Sequence, residues 1–169
     1  MKKLILLRHA VAEERAAASA RGVRDAQRAL TTRGREKMQR AAQGLHTLLP
    51  ELDLVVTSPL PRAVQTAAIL VHEYRQQLQL IESEVLKPGA EPHALLELLR
   101  ENSNATTVAC VGHEPDLSHL AGWLTTGGNK NLLKLKKGGA CLLEFSRGFR
   151  AGDARLVWLL TPCMLRELK

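Results

Sequence analysis

Lys3-Leu4-Ile5-Leu6-Leu7-Arg8-His9 is the stretch from which the fold follows. Leu4 to Leu7 leave no polar face. Such a run marks a strand covered on both sides, as in a mainly parallel sheet with helices above and below. It falls short of the roughly 7–15 apolar residues of a secretory core, so it reads as a buried strand although Lys2 and Lys3 precede it. The run stops at Arg8-His9, a basic pair where strand gives way to loop.

The same beat recurs downstream. Residues 53–57 (Asp-Leu-Val-Val-Thr) and 106–111 read as further buried strands, and 80–86 as a more exposed one. Between them, apolar residues at helical spacing follow the cap candidates Thr31 and Thr32, namely Met38, Ala41, Ala42, Leu45, Leu48 and Leu49, ending before Pro50. Further helices are expected over 60–79, 93–101 and from Pro115 to about 125. Residues 10–28 are polar and rich in Ala and Arg, a loop with some helix. Gly127-Gly128-Asn129 breaks the pattern, and 130–137 carries four lysines. Residues 140–145 and 155–160 should close the sheet as a hairpin-like pair. The expected fold is therefore α/β, a three-layer α-β-α arrangement around a mainly parallel sheet.

Composition narrows the function. With 169 residues, 45% hydrophobic, and no linker or repeat, one domain spanning 1–169 is expected. Three cysteines without a CxxC spacing suit reduced thiols in the cytoplasm. No segment approaches the ~20 apolar residues of a membrane helix. A net charge of +7 favours anionic partners. Only 3% of residues are aromatic, which argues against a base-stacking surface for nucleic acid.

Arg8-His9 follows the first strand, Arg62 follows the second in Ser58-Pro59-Leu60-Pro61-Arg62-Ala63, and Gly112-His113 ends the fourth. Loops at the carboxyl ends of such strands converge on a ligand crevice. Guanidinium groups hold a phosphoryl dianion by paired hydrogen bonds. An imidazole is a competent nucleophile at neutral pH, more so when neighbouring cations hold it unprotonated. A second histidine can donate to the equatorial oxygens, and a helix starting near Pro115 would turn its amides to the same anion. No cluster with metal-ligand spacing emerges from His46, His72, His93 or His119, which read as surface or packing residues.

Leu7-Arg8-His9-Ala10, Leu30-Thr31-Thr32-Arg33-Gly34, Thr57-Ser58-Pro59-Leu60-Pro61-Arg62-Ala63 and Val111-Gly112-His113 stand in the order that resembles the histidine phosphatase, or phosphoglycerate mutase-like, superfamily. The short chain, Arg28-Ala29-Leu30-Thr31 and the ending Thr161-Pro162-Cys163-Met164-Leu165 resemble its SixA-type phosphohistidine phosphatase branch. That resemblance implies His9 as phosphate acceptor, Arg8 and Arg62 as a phosphate clamp, and His113 completing the pocket. It favours Arg28 on the substrate side and calls for no metal or other cofactor. The implied partner is a phosphorylated protein such as a histidine phosphocarrier domain, with no nucleic acid or membrane involved.

Ser58 is expected either to bond the phosphate or Arg8, or to shape the turn before Pro59. Glu91 is the nearest counterpart of the acid that protonates alcohol leaving groups in relatives, with Glu13 and Glu14 as other candidates. An imidazole leaves far more readily than an alkoxide, so Glu91 is expected to be dispensable for phosphohistidine. Arg21 and Arg24 could border the entrance with Arg28. The alternatives are a small-molecule phosphomonoesterase of the same superfamily and a non-catalytic phosphoprotein- or nucleic-acid-binding module.

Overall fold

The computed structural model describes residues 1–74, 78–128 and 130–168. Six strands form one sheet in the order β3-β2-β4-β1-β5-β6, where β1 is Lys2–Arg8, β2 Leu54–Thr57, β3 Gln79–Glu82, β4 Thr107–Gly112, β5 Ala140–Phe145 and β6 Ala154–Leu160. The pairs β1–β4, β2–β4 and β2–β3 are parallel. The pairs β1–β5 and β5–β6 are antiparallel, so the expected hairpin-like closure is present.

Because side chains alternate along a strand, the apolar run at residues 4–7 serves two cores. Ile5 and Leu7 face one side with Val55, Ala109 and Val111, under α2 (Thr32–Leu48) and α3 (Pro61–Tyr74). Leu4 and Leu6 face the other with Val56, Val108 and Cys110, under α4 (Pro92–Glu101) and α5 (Asp116–Thr126). Helices thus cover both faces, and the three-layer expectation holds. Each fully buried Leu contributes roughly 1.5–3 kcal/mol.

The segment between β1 and α2 contains the short helix α1 (Arg15–Ala20) and a single 3₁₀ turn, Asp25–Gln27. Thr31 is the N-cap of α2, its hydroxyl accepting the Gly34 N–H at 2.9 Å. Gly34 is required there: a Cβ would collide with the Val11 carbonyl. This close approach holds the loop after His9 against the helix.

Three expectations need correction. The helix expected over 60–79 is helical only to Tyr74 among the described residues, and residues 75–77 lie outside them. Gln79 instead opens β3, opposite Leu54 in the parallel ladder. The strand expected over 80–86 ends at Glu82, because the Ser83 hydroxyl caps a 3₁₀ turn at Glu84–Leu86. A helix not foreseen, α6 (Pro162–Glu167), starts from the Thr161 cap and packs on α2, where a Cβ on Gly44 would collide with the Leu165 carbonyl. Asn129 of the expected break also lies outside the described residues. Trp123 and Trp158 are only partly buried, at the edges of the two cores.

Candidate active site

The register of the sheet assembles the site. Arg8 on β1 stands opposite Gly112 on β4, and Thr57 on β2 opposite Val111. The next residues continue the ladders: the His9 N–H donates to the Gly112 carbonyl and the Ser58 N–H to the Val111 carbonyl, each at 3.0 Å. His9, Ser58 and His113 therefore emerge side by side at the carboxyl edge of three adjacent strands. The rings of His9 and His113 lie 5.1 Å apart, centre to centre. Both are buried, at 6% and 3% exposure.

A carbonyl oxygen can only accept, so the 2.8 Å contact between His9 Nδ1 and the Ala10 carbonyl places the ring proton on Nδ1. Nε2 then keeps its lone pair. Burial, opposed by that hydrogen bond and joined by the charges of Arg62, Arg8 and Lys137, pushes the His9 pKa down to about 4. Burial, with His9, Arg62 and Arg8 adding to it, pushes His113 down to about 3. Both rings are neutral at pH 7.

The two arginines are held by backbone oxygens. Arg8 Nη1 donates to the Leu135 carbonyl at 2.9 Å, and Arg62 Nη1 to the Asp25 carbonyl at 2.9 Å. Thr66 ties the loop to α3, its hydroxyl accepting the Ala10 N–H at 3.0 Å and donating to the Arg62 carbonyl at 2.7 Å. Arg8 Nε, Arg62 Nε and His113 Nδ1 are buried nitrogens with no partner among the described residues. All three belong to residues singled out from sequence. A buried donor left unpaired costs about 1–3 kcal/mol, so three of them, on the ends of β1 and β4 and the first turn of α3, mark a site built for an acceptor-rich group.

Ser58 lies 2.8 Å from His113 Nε2, and its hydroxyl accepts the Leu60 N–H at 3.4 Å. It braces His113 and shapes the turn, and its partner is not Arg8. Arg28 is engaged by the protein: Nε donates to the Asp25 carboxylate at 3.0 Å and Nη1 to the Glu13 carbonyl at 2.5 Å. Glu91 is exposed at the N-cap of α4 and makes no capping bond. With His93, His119 and Trp123 it lines a cleft of about 400 Å³. His113 lines a small neighbouring hollow that shares Ala90, Pro92 and Asp116 with that cleft. The first turn of α5 offers an anion less than its sequence suggested, because Leu117 N–H is taken by the His113 carbonyl and acidic Asp116 sits there.

Two carboxylates were missed from sequence. Asp25 accepts from Arg15 at 2.8 Å and from Arg28, and lies 3.6 Å from Arg62 Nη2. Burial would raise its pKa, yet the hydrogen bonds from Arg15 and Arg28 and the charges of Arg28 and Arg62 hold it below the ordinary value. The Asp25-x-x-Arg28 spacing was the available signal. Glu114 accepts from the Ser118 hydroxyl at 2.7 Å and the Leu135 N–H at 3.0 Å. It thereby fixes the strand of chain whose carbonyl holds Arg8.

The sequence model of the histidine phosphatase superfamily (branch 1) matches residues 4–87. An uncharacterized protein of Picosynechococcus sp. is 34% identical over 157 residues, 91% of this chain and 88% of that one. The structure of the protein histidine phosphatase SixA complexed with tungstate superposes with a TM-score of 0.81 at 21% identity, covering 95% of this chain and 97% of that one. The alpha-ribazole phosphatase of Shigella flexneri superposes at 0.70 with 21% identity, covering 95% and 96%. No helix among the described residues is long and apolar enough to cross a membrane.

Proposed function

The chain belongs to the histidine phosphatase superfamily, and from that premise we propose that it removes phosphate from a phosphorylated histidine of a partner protein through a phospho-His9 intermediate. The observation that carries the reading is the set of three buried, unpartnered nitrogens on Arg8, Arg62 and His113 around a neutral His9. A phosphoryl group brings three oxygens to three such donors.

In the first step the His9 Nε2 lone pair attacks phosphorus in line, and the bond from phosphorus to the substrate imidazole breaks. The electron pair of that bond leaves with the imidazole, which departs neutral because its other ring nitrogen carries a proton taken from water. Arg8 and Arg62 balance the charge on the equatorial oxygens. The Ser58 hydroxyl donates a hydrogen bond to His113 Nε2, so that Nδ1 of the neutral ring carries the hydrogen offered to phosphate. Water then attacks phospho-His9, inorganic phosphate departs, and the Nε2 lone pair is restored.

The leaving group follows from the carboxylates. Glu91 faces an adjoining cleft, while Asp25 is ionised by its arginines and has no proton to give. A mechanism without a carboxylic acid suits the P–N bond. SixA as a structural neighbour supports the same substrate class, and the implied setting is the cytoplasm, with one domain over 1–169 and no metal or other cofactor. A second reading rests on the cleft of Glu91, His93, His119 and Trp123 beside His113: a small phosphomonoester could seat its organic part there, as the likeness to alpha-ribazole phosphatase allows.

Phosphate release from a phosphohistidine carrier and from a panel of monoesters separates these readings. Preference for the carrier, lost in His9→Ala, is expected; preference for a monoester would transfer the function to the second reading.

A further inference from the structure

Beside His9, and away from the Glu91 cleft, lies a second groove of about 190 Å³. It begins at Ala10, the residue after the nucleophile, and runs between α2, the 136–138 loop and the start of α6. Its floor is apolar, with Met38 and Pro162, and its rim carries Lys37, Lys136, Lys137 and Arg166. None of these four cations has a carboxylate within ion-pair distance among the described residues. On the other side of the site Arg15, Arg28 and Arg62 share Asp25, and Arg21 pairs with Glu13.

The groove is coupled to the nucleophile through its backbone. The Gly138 N–H donates to the carbonyls of both Arg8 and His9 at 3.1 Å, so the 136–138 rim is fixed relative to the reacting nitrogen. Lys137 is near enough for its charge to act on His9. A chain segment seated in the groove would thus stand at a set distance from phosphorus.

We propose that this groove docks an acidic segment of the phosphorylated partner, an apolar side chain on Met38 and Pro162 and carboxylates on the rim cations, while the phosphohistidine reaches His9. The proposal rests on the phosphohistidine reading and adds to it the surface that selects the partner. Complementarity of charge chooses the occupant: an apolar floor with an unmatched basic rim fits an amphipathic acidic peptide. An open polyphosphate backbone such as nucleic acid would leave the floor without a partner.

The test compares two substrates of one reaction. Phosphoramidate has the P–N bond and no docking segment; a phosphohistidine carrier with an acidic surface has both. In Lys37→Glu/Arg166→Glu, and separately in exposed Lys136→Glu, kcat/KM for the carrier is expected to fall about tenfold at low salt, with the deficit shrinking as salt rises. Turnover of phosphoramidate should stay within twofold, which also shows that the variants are folded. A glutamate-rich hexapeptide should inhibit the parent competitively against the carrier and lose that effect in the double variant.

Equal carrier kinetics in parent and variants would overturn the groove while leaving the phosphatase reading intact. Competition by duplex DNA stronger than by the peptide would overturn the choice of occupant. A parent protein that turns over phosphoramidate but leaves the carrier untouched would overturn both the docking and the protein substrate.

Discussion

Two regions hold the site, and they hold it differently. The floor is the carboxyl edge of β1, β2 and β4, where His9, Ser58 and His113 are placed by backbone ladders and buried. The roof is the 13–28 segment, where Arg28 and Asp25 are placed by side-chain ion pairs around a 3₁₀ turn. Asp25 is 42% exposed, so its pairs are partly screened by solvent. The floor is rigid because a strand register cannot slip without reversing its faces. The roof can loosen one ion pair at a time. Floor residues should therefore govern the chemical step, and roof residues the capture of substrate.

The sharpest test of that division is Arg62, which touches both regions. Arg62→Ala should lower kcat by about 10²–10³, as for loss of a principal oxyanion donor. Arg62→Lys should not restore it, because an ammonium cannot hold the Asp25 carbonyl and also offer a second, fixed N–H at the position of the buried Nε. A full rescue by lysine would move Arg62 from the clamp to general electrostatics.

Acid should expose the floor next. His9 and His113 are depressed from 6.5 to about 4 and about 3, so below pH 6.5 the unfolded chain binds more protons than the folded one. Stability is then expected to decline as pH falls from about 6.5 to about 4, by roughly 3 kcal/mol through His9. Denaturant melts of the parent and His9→Gln across that window measure it, and the parent should be the more pH-sensitive. Catalysis responds in the same direction, with kcat/KM holding near neutrality and dropping once His9 takes a proton near pH 4.

Asp25→Asn isolates the roof. It should raise KM about tenfold or less and leave kcat within about threefold, because Arg62 keeps its bond to the residue 25 carbonyl. A kcat loss as large as that of Arg62→Ala would erase the distinction between the regions. The smallest effect belongs to Glu91→Gln, expected within twofold on a phosphohistidine carrier. A large loss there, with folding intact, would make Glu91 the general acid after all.

The same contrast explains what could be read from sequence. His9, Arg62 and His113 follow continuous apolar runs, and such runs fix both the strand and the edge at which it ends. Asp25 sits in a polar stretch without periodicity, where only the spacing to Arg28 hinted at a pair. Its reach to Arg62 depends on how the loop folds back under the Gly34–Val11 contact. Ser58 was legible as a turn residue, but its bond to His113 links positions 55 residues apart and needed the β2–β4 register to be seen. Helix α6 carried a clear Thr161-Pro162 start and was hidden only by its brevity.

In the proposed mechanism His9 carries the phosphate in transit. Mixing the protein with a carrier labelled with ³²P on histidine, quenching within milliseconds and mapping the label by peptide analysis tests it most directly. An acid-labile, base-stable label is expected on the peptide containing His9, absent in His9→Ala and formed before free phosphate appears. Phosphate released at full rate with no label on the protein, or with the label elsewhere, would contradict it.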